Sequence, residues 1–251
     1  MVFVPAGLFV CLLAGGVAWE IVTRPNFSSV ERGRRLAEQY GCYGCHGPEG
    51  AGGVFNPGRS DITVPNWESD IMMFARDSSE IRQWIENGVT DVKSGSQTWR
   101  EQRAKGALKM PAFGKRLSSA QIDDLVRFVM LVNGQLRPED SLAAVGFNRA
   151  DSLGCYGCHG QGGWLSRSNP GSFKGYVASW ATADFNDLVH NRSEFDQWVT
   201  TGISERMLNN PIAKYFLRRS TLHMPAYRDH LRPGDLDALW AYIQWLQAHN
   251  R

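Results

Sequence analysis

The pentapeptide Cys-Tyr-Gly-Cys-His occurs twice in this 251-residue chain, as Cys42-Tyr43-Gly44-Cys45-His46 and as Cys155-Tyr156-Gly157-Cys158-His159. The sequence around it is duplicated as well, which is the signature of a repeated structural unit. Gly33, Asn56-Pro57-Gly58 and Trp67 recur at an offset of 113 as Gly146, Asn169-Pro170-Gly171 and Trp180. From about residue 71 the offset is 114, and Trp84, Gly88 and Met110-Pro111-Ala112 answer Trp198, Gly202 and Met224-Pro225-Ala226. The chain is therefore expected to form two tandem units, 24–140 and 141–251, with a boundary near 137–140 and a distinct segment, 1–23, before them.

Each copy reads as a helix, the pentapeptide, a glycine-rich loop, a short helix, a long loop ending in Met-Pro, and a final helix. Ser28 with Glu31 and Ser118 with Gln121 have capping-box spacing, and Pro233 is expected in the first turn of the last helix. Ile122, Leu125, Phe128, Val129 and Val132 fall three and four apart, as on a buried helical stripe. No alternating run is long enough to build a sheet, so the expected class is all-α. At 43% hydrophobic and 21% charged the chain is globular rather than disordered. A net charge of +2 argues against a dedicated nucleic-acid binder, and five cysteines are too few for a disulfide scaffold.

Residues 2–19 carry no charge, and that length just suffices for a membrane span. A cleaved secretory signal is the competing expectation, with Gly16-Val17-Ala18 at the cleavage point, although no basic residue precedes the apolar run. Arg24, Arg32, Arg34 and Arg35 follow the run, and the positive-inside rule would put that side in the cytoplasm. Cys11, inside the run, lacks the small residues of a lipoprotein signal and reads as a small hydrophobe.

A Cys-x-x-Cys-His run can attach a haem: thiols one turn apart reach the two vinyl groups while the adjacent histidine reaches the iron. A thioredoxin-like dithiol would need a βαβ context, and a zinc site would need its second cysteine pair far nearer than Cys155 is to Cys45. Duplication at equivalent places weighs against coincidence. In the first copy His46 is the only histidine, so the sixth ligand there is a methionine, a lysine, water or nothing. Of Met72, Met73, Met110 and Met130, Met110 alone has a methionine, Met224, at its position in the second copy, which makes these two the expected distal ligands. His190, His223, His230 and His249 are unduplicated and expected at the surface; His223, beside Met224, is the one placed to compete with it. The duplicated Trp67/Trp180 and Trp84/Trp198 are expected to pack against the macrocycles, with one of the first pair a candidate N–H donor to a propionate.

With these residues in view, the chain resembles the membrane-anchored dihaem members of the class I cytochrome c family. The resemblance rests on Gly33-x-x-Leu36, on the two pentapeptides with their flanking glycines, and on Met110-Pro111 and Met224-Pro225, and it covers nearly everything from Ser28 to His249. It implies two tandem cytochrome c domains behind one N-terminal transmembrane helix, in the bacterial inner membrane with the haem domains on the periplasmic side. Two haem c groups would be held by Cys42, Cys45, Cys155 and Cys158, with His46 and His159 proximal and Met110 and Met224 distal. The implied activity is one-electron transfer, without independent turnover, as a subunit of a respiratory or photosynthetic complex and in contact with its other subunits. A free-standing anchored carrier and a dihaem peroxidase-like enzyme are the alternatives; duplicate Met-Pro loops argue against the latter, which needs an open iron face. Lys93, Arg100, Arg103, Lys105 and Lys109 in one copy, and Arg206, Lys214, Arg218 and Arg219 in the other, make the loops before each methionine basic. They are either a solvated face or a ring that steers an acidic redox partner.

Overall fold

The computed structural model describes residues 6–59, 63–139 and 141–250, with the side chains of 6–12 left aside. Among them the secondary structure is helical apart from two isolated bridges, Phe55–Thr63 and Ser168–Tyr176. Helix α1 (Ala6–Thr23) is followed by α2 (Ser29–Gln39), α3 (Tyr43–His46), α4 (Ile71–Phe74), α5 (Ser78–Asn87), α6 (Asp91–Gly95), α7 (Gln97–Lys105) and α8 (Ser119–Val132). The same order returns as α9 (Leu142–Ser152), α10 (Tyr156–His159), α11 (Ala183–Leu188), α12 (Arg192–Thr201), α13 (Glu205–Asn209), α14 (Pro211–Arg219) and α15 (Asp235–His249).

In each half the first helix crosses the last, α2 on α8 and α9 on α15. The crossing is close because glycine stands at it. A Cβ on Gly33 would come within 2.0 Å of the Asp124 carbonyl oxygen, and one on Gly146 within 2.0 Å of that of Ala238. Ile122, Leu125, Phe128 and Val129 of the expected stripe are buried under this crossing, as are Leu239, Tyr242 and Ile243 in the second half. Arg32 on Asp124 and Arg149 on Asp235, each at 2.7 Å, tie the same helix pairs at their rims.

Several local expectations are met and others are modified. Ser118 and Gln121 form a reciprocal capping box. Ser28 accepts the Glu31 N–H at 3.0 Å, but the Glu31 carboxylate is taken by Arg34 and Arg35 at 3.0 and 2.8 Å, and the Ser28 hydroxyl donates to the Trp164 carbonyl at 2.6 Å. Pro233 lies outside α15, ahead of its N-cap Gly234 at φ 86°. The stretches read as long loops before each methionine contain α6, α7, α13 and α14. Caps explain three of the four: Thr90 accepts the Lys93 N–H, Ser96 that of Trp99, and Asn210 those of Ile212 and Ala213 with Pro211 in the first turn.

The transmembrane expectation is overturned. Residues 1–5 of the apolar run lie outside the described residues, as do the side chains of 6–12, including that of Cys11. Among the described residues no helix is long and apolar enough to cross a membrane. The placement in the inner membrane with periplasm-facing domains falls with it. The described end of α1 holds Glu20, and Trp19 packs on protein, with ring centroids 5.9 Å from Phe173 and 6.3 Å from Phe216. Just beyond α1, Asn26 donates from its backbone and side-chain amides to the Asp184 carboxylate at 2.8 and 2.6 Å, which Lys174 also holds at 2.6 Å.

The halves meet where α2 and α8 face the 3-10 turn Gln161–Gly163 and the end of α15. Trp164, fully buried, lies there under the Arg127 guanidinium at 5.3 Å and edge-on to Trp245. The Asn250 carboxamide accepts from the Ser29 backbone and hydroxyl at 3.0 and 3.1 Å and donates to Ala181 at 2.7 Å.

Two candidate haem cavities

Each half encloses a cavity beside its pentapeptide. The cavity of the first half, about 230 Å³, is lined by Cys42, Cys45, His46 and Met110; that of the second, about 860 Å³, by Cys155, Cys158, His159 and Met224. The eight residues expected to bind haem are thus brought together in two sets of four. Met72 and Met73 are exposed and Met130 packs against the core, all three away from the cavity lining.

The pentapeptide is one helical turn, stopped by Gly47 at φ 79° and Gly160 at φ 72°. This turn puts both thiols and the imidazole on one wall. The Tyr43 hydroxyl donates to the Arg34 carbonyl at 3.2 Å, and the Tyr156 hydroxyl to that of Phe147 at 2.8 Å, pinning the turn to the preceding helix. His46 Nδ1 lies 2.7 Å from the Pro65 carbonyl oxygen and His159 Nδ1 3.3 Å from that of Ala178. Donation from Nδ1–H to a carbonyl fixes the tautomer and leaves the Nε2 lone pair for a metal. Burial lowers the His46 pKa and brings that of His159 to about 4, so both rings are neutral at neutral pH. Burial pushes the Cys42 and Cys155 thiols up to about 11.

Trp67 and Trp180 back the histidines, with ring centroids 5.1 and 4.8 Å from the imidazoles. They lean on Gly50 and Gly163, where a Cβ would fall 2.1 and 2.4 Å from an indole carbon. Trp84 and Trp198 spend their N–H groups on the Phe74 and Leu188 carbonyls at 2.9 and 3.0 Å.

The methionine loops are strapped by residues to which the sequence attached no role. Asn56, buried, donates to the Leu108 carbonyl at 3.1 Å and accepts the Leu108 N–H at 2.8 Å, two residues before Met110. Asn169 grips Leu222 with the same two distances, two residues before Met224. The Pro57 and Pro170 carbonyls accept the N–H groups of Ala107 and Thr221 at 2.9 and 3.0 Å. The duplicated Asn-Pro-Gly was the available signal. Gly88 and Gly202, left-handed C-caps of α5 and α12, let the loop pass: a Cβ there would meet the Met110 and Met224 carbonyl oxygens at 2.3 and 2.4 Å.

The two cavities differ in one wall. Trp99 lines the first, stacks edge-on with Trp84 at 5.7 Å, and holds a buried indole N–H without a partner. Arg103 lies over its ring at 5.7 Å. Ala213 and Leu217 take these places in the second half, where the cavity is the larger. His190, His223, His230 and His249 are exposed as expected, and His223 Nε2 is engaged with the Leu217 carbonyl at 2.7 Å. Of the basic ring, Arg206 is bound to Glu194 at 2.8 Å. Among the described residues no group of three or more His, Cys, Asp or Glu side chains is placed to hold a metal ion.

Residues 30–133 match the family model for Cytochrome c. The matched segment runs from α2 to the end of α8 and contains the first cavity with Cys42, Cys45, His46 and Met110 in its lining. A cytochrome c domain here supports covalently attached haem c and electron transfer by that haem. Searches of curated proteins and of solved structures returned no match.

Proposed function

We propose that the chain holds two haem c groups, one per cavity, and relays single electrons between other subunits of a redox complex. One observation carries this: each cavity gathers two thiols, an imidazole with its Nε2 free and a thioether, all from its own repeat. The donor set fits an iron porphyrin bound through two thioether bonds. Cys42, Cys45, Cys155 and Cys158 would attach the groups, His46 and His159 ligate one iron face, and Met110 and Met224 close the other. The orphaned N–H of Trp99, beside Arg103, fits the carboxylate periphery of such a group.

When bound, each haem supplies a reversible one-electron couple whose potential Met/His ligation raises. The protein's share is to hold the geometry still. The Nδ1 bonds fix the imidazoles, the asparagine straps keep a weak thioether ligand in place, and the buried indoles exclude water from the proximal side. Closed coordination on both faces favours transfer over turnover and weighs against a peroxidase. Arg103 and Lys109, which line the first cavity, are placed to steer an acidic partner to that haem by an on-rate effect that salt weakens.

Intact mass together with a haem assay tests the stoichiometry: two covalent haems are expected, and fewer than two refutes the proposal. The oxidised protein should show the near-infrared sulfur-to-iron band at both centres, and the reduced protein should not bind carbon monoxide rapidly.

A further inference from the structure

The two proximal histidines are joined by a continuous run of covalent and hydrogen bonds. His46 Nδ1 meets the Pro65 carbonyl at 2.7 Å, and two residues on, the Trp67 carbonyl accepts from Asn133 Nδ2 at 3.2 Å. Asn133 caps α8, and two residues back along that helix the Leu131 carbonyl accepts from Gln161 Nε2 at 3.4 Å. Gln161 is two residues from His159. The run therefore crosses from one half to the other at a single side chain.

The backbone around that crossing is buried, while Gln161 itself is exposed to solvent. Leu131, Gly162, Gly163 and Tyr242 are buried, and a Cβ built on Gly162 lies 3.5 Å from Leu131 Cδ1. The Tyr242 hydroxyl donates to the Gly162 carbonyl at 2.6 Å, and the Trp180 backbone N–H to that of Gly163 at 3.0 Å. The repeat also breaks here. Gln247 repeats the Asn133 bond, donating to the Trp180 carbonyl at 3.3 Å, whereas the position matching Gln161 in the first half is Pro48, which has no donor.

We propose that Gln161 is the bridging residue for electron exchange between the two halves, so that the halves communicate through their proximal sides. This rests on the dihaem function proposed above. The step moves one electron from ferrous iron in one half to ferric iron in the other; no bond forms or breaks and no proton is transferred. Tunnelling is carried better by bonds and hydrogen bonds than across van der Waals contacts, and Gln161 supplies the hydrogen bond by which this run passes between the halves. It is a positioning residue, distinct from the iron ligands.

The test uses the full holoprotein. A photogenerated one-electron donor reduces it by less than one electron per chain, and the concentration-independent phase of equilibration between the haems is timed. Gln161→Leu and the similarly long, neutral Gln161→Met, neither of which can donate to Leu131, should each slow that phase severalfold while both potentials and visible spectra hold. Gln247→Leu, off the route, should leave it unchanged. Unaltered rates in both Gln161 variants with two haems in place overturn the bridge, as does equal slowing by Gln247→Leu. A chain carrying one haem overturns the dihaem function instead, and the mass measurement distinguishes the two failures.

Discussion

Replacing Asn169, itself part of the cavity wall, with alanine should release Met224 while leaving the thiols and the imidazole in place. Asn169 makes two hydrogen bonds, of 2.8 and 3.1 Å, to the backbone of Leu222. Each such bond contributes about 1 kcal/mol net, and stranding the Leu222 groups adds part of a desolvation cost, so the loop loses about 2–3 kcal/mol. At 1.4 kcal/mol per tenfold, the population with the methionine swung away rises by roughly 30- to 140-fold. An added ligand binds ferric iron in proportion to that population, so the second centre's apparent affinity for imidazole should rise by a similar factor. The assay is an imidazole titration of the oxidised holoprotein followed through the near-infrared sulfur-to-iron band. Asn169→Ala should cost the second centre its band at low imidazole while the first keeps its own, and Asn56→Ala should do the converse. Wild-type affinity at both centres in either variant would refute the strap.

Gly33→Ala should lower the thermal midpoint followed by circular dichroism: alanine gains about 1 kcal/mol in helix propensity, but its Cβ falls 2.0 Å from a backbone oxygen that cannot rotate away. Gly95→Ala, with nothing within 4 Å, is the control and should hold or raise the midpoint. Trp99→Phe should lower the potential of the first centre alone in a redox titration, since a carboxylate stripped of its donor puts more negative charge near the iron; equal shifts at both centres would discount that role. The hydrogen bond from Arg206 depresses the Glu194 carboxyl to about 2, so its stabilisation is present above the ordinary carboxylate range and lost as pH falls from there toward 2. Arg206→Gln should therefore move acid unfolding to higher pH, and an unchanged acid transition would show the pair to be neutral.

Much of the architecture was legible because duplication acts as an internal control. The stripe on α8, the box at Ser118 and the grouping of each pentapeptide with its own Met-Pro depend on spacing, which sequence records directly. The straps at Asn56 and Asn169 were visible as repeated letters without a role, because their partners are backbone groups fifty residues away and backbone atoms leave no mark in composition. Helices α6, α7, α13 and α14 hid behind their short length, though Thr90, Ser96 and Asn210 announced three of them. The apolar run before Trp19 misled because its length and lack of charge suggested a span, whereas no described helix is long and apolar enough to cross a membrane. Trp99 escaped notice because it has no counterpart.

Asn250 seats on Ser29, so residues at opposite ends of the sequence close the molecule into a ring of contacts. Cleavage at 137–140 would then open a hinge without parting the pieces, since Ser28, Ser29 and Arg127 still grip Trp164, Asn250 and His249. Fragments made separately could reassemble along that seam, and a chain rejoined there with new ends between the halves should keep both cavities.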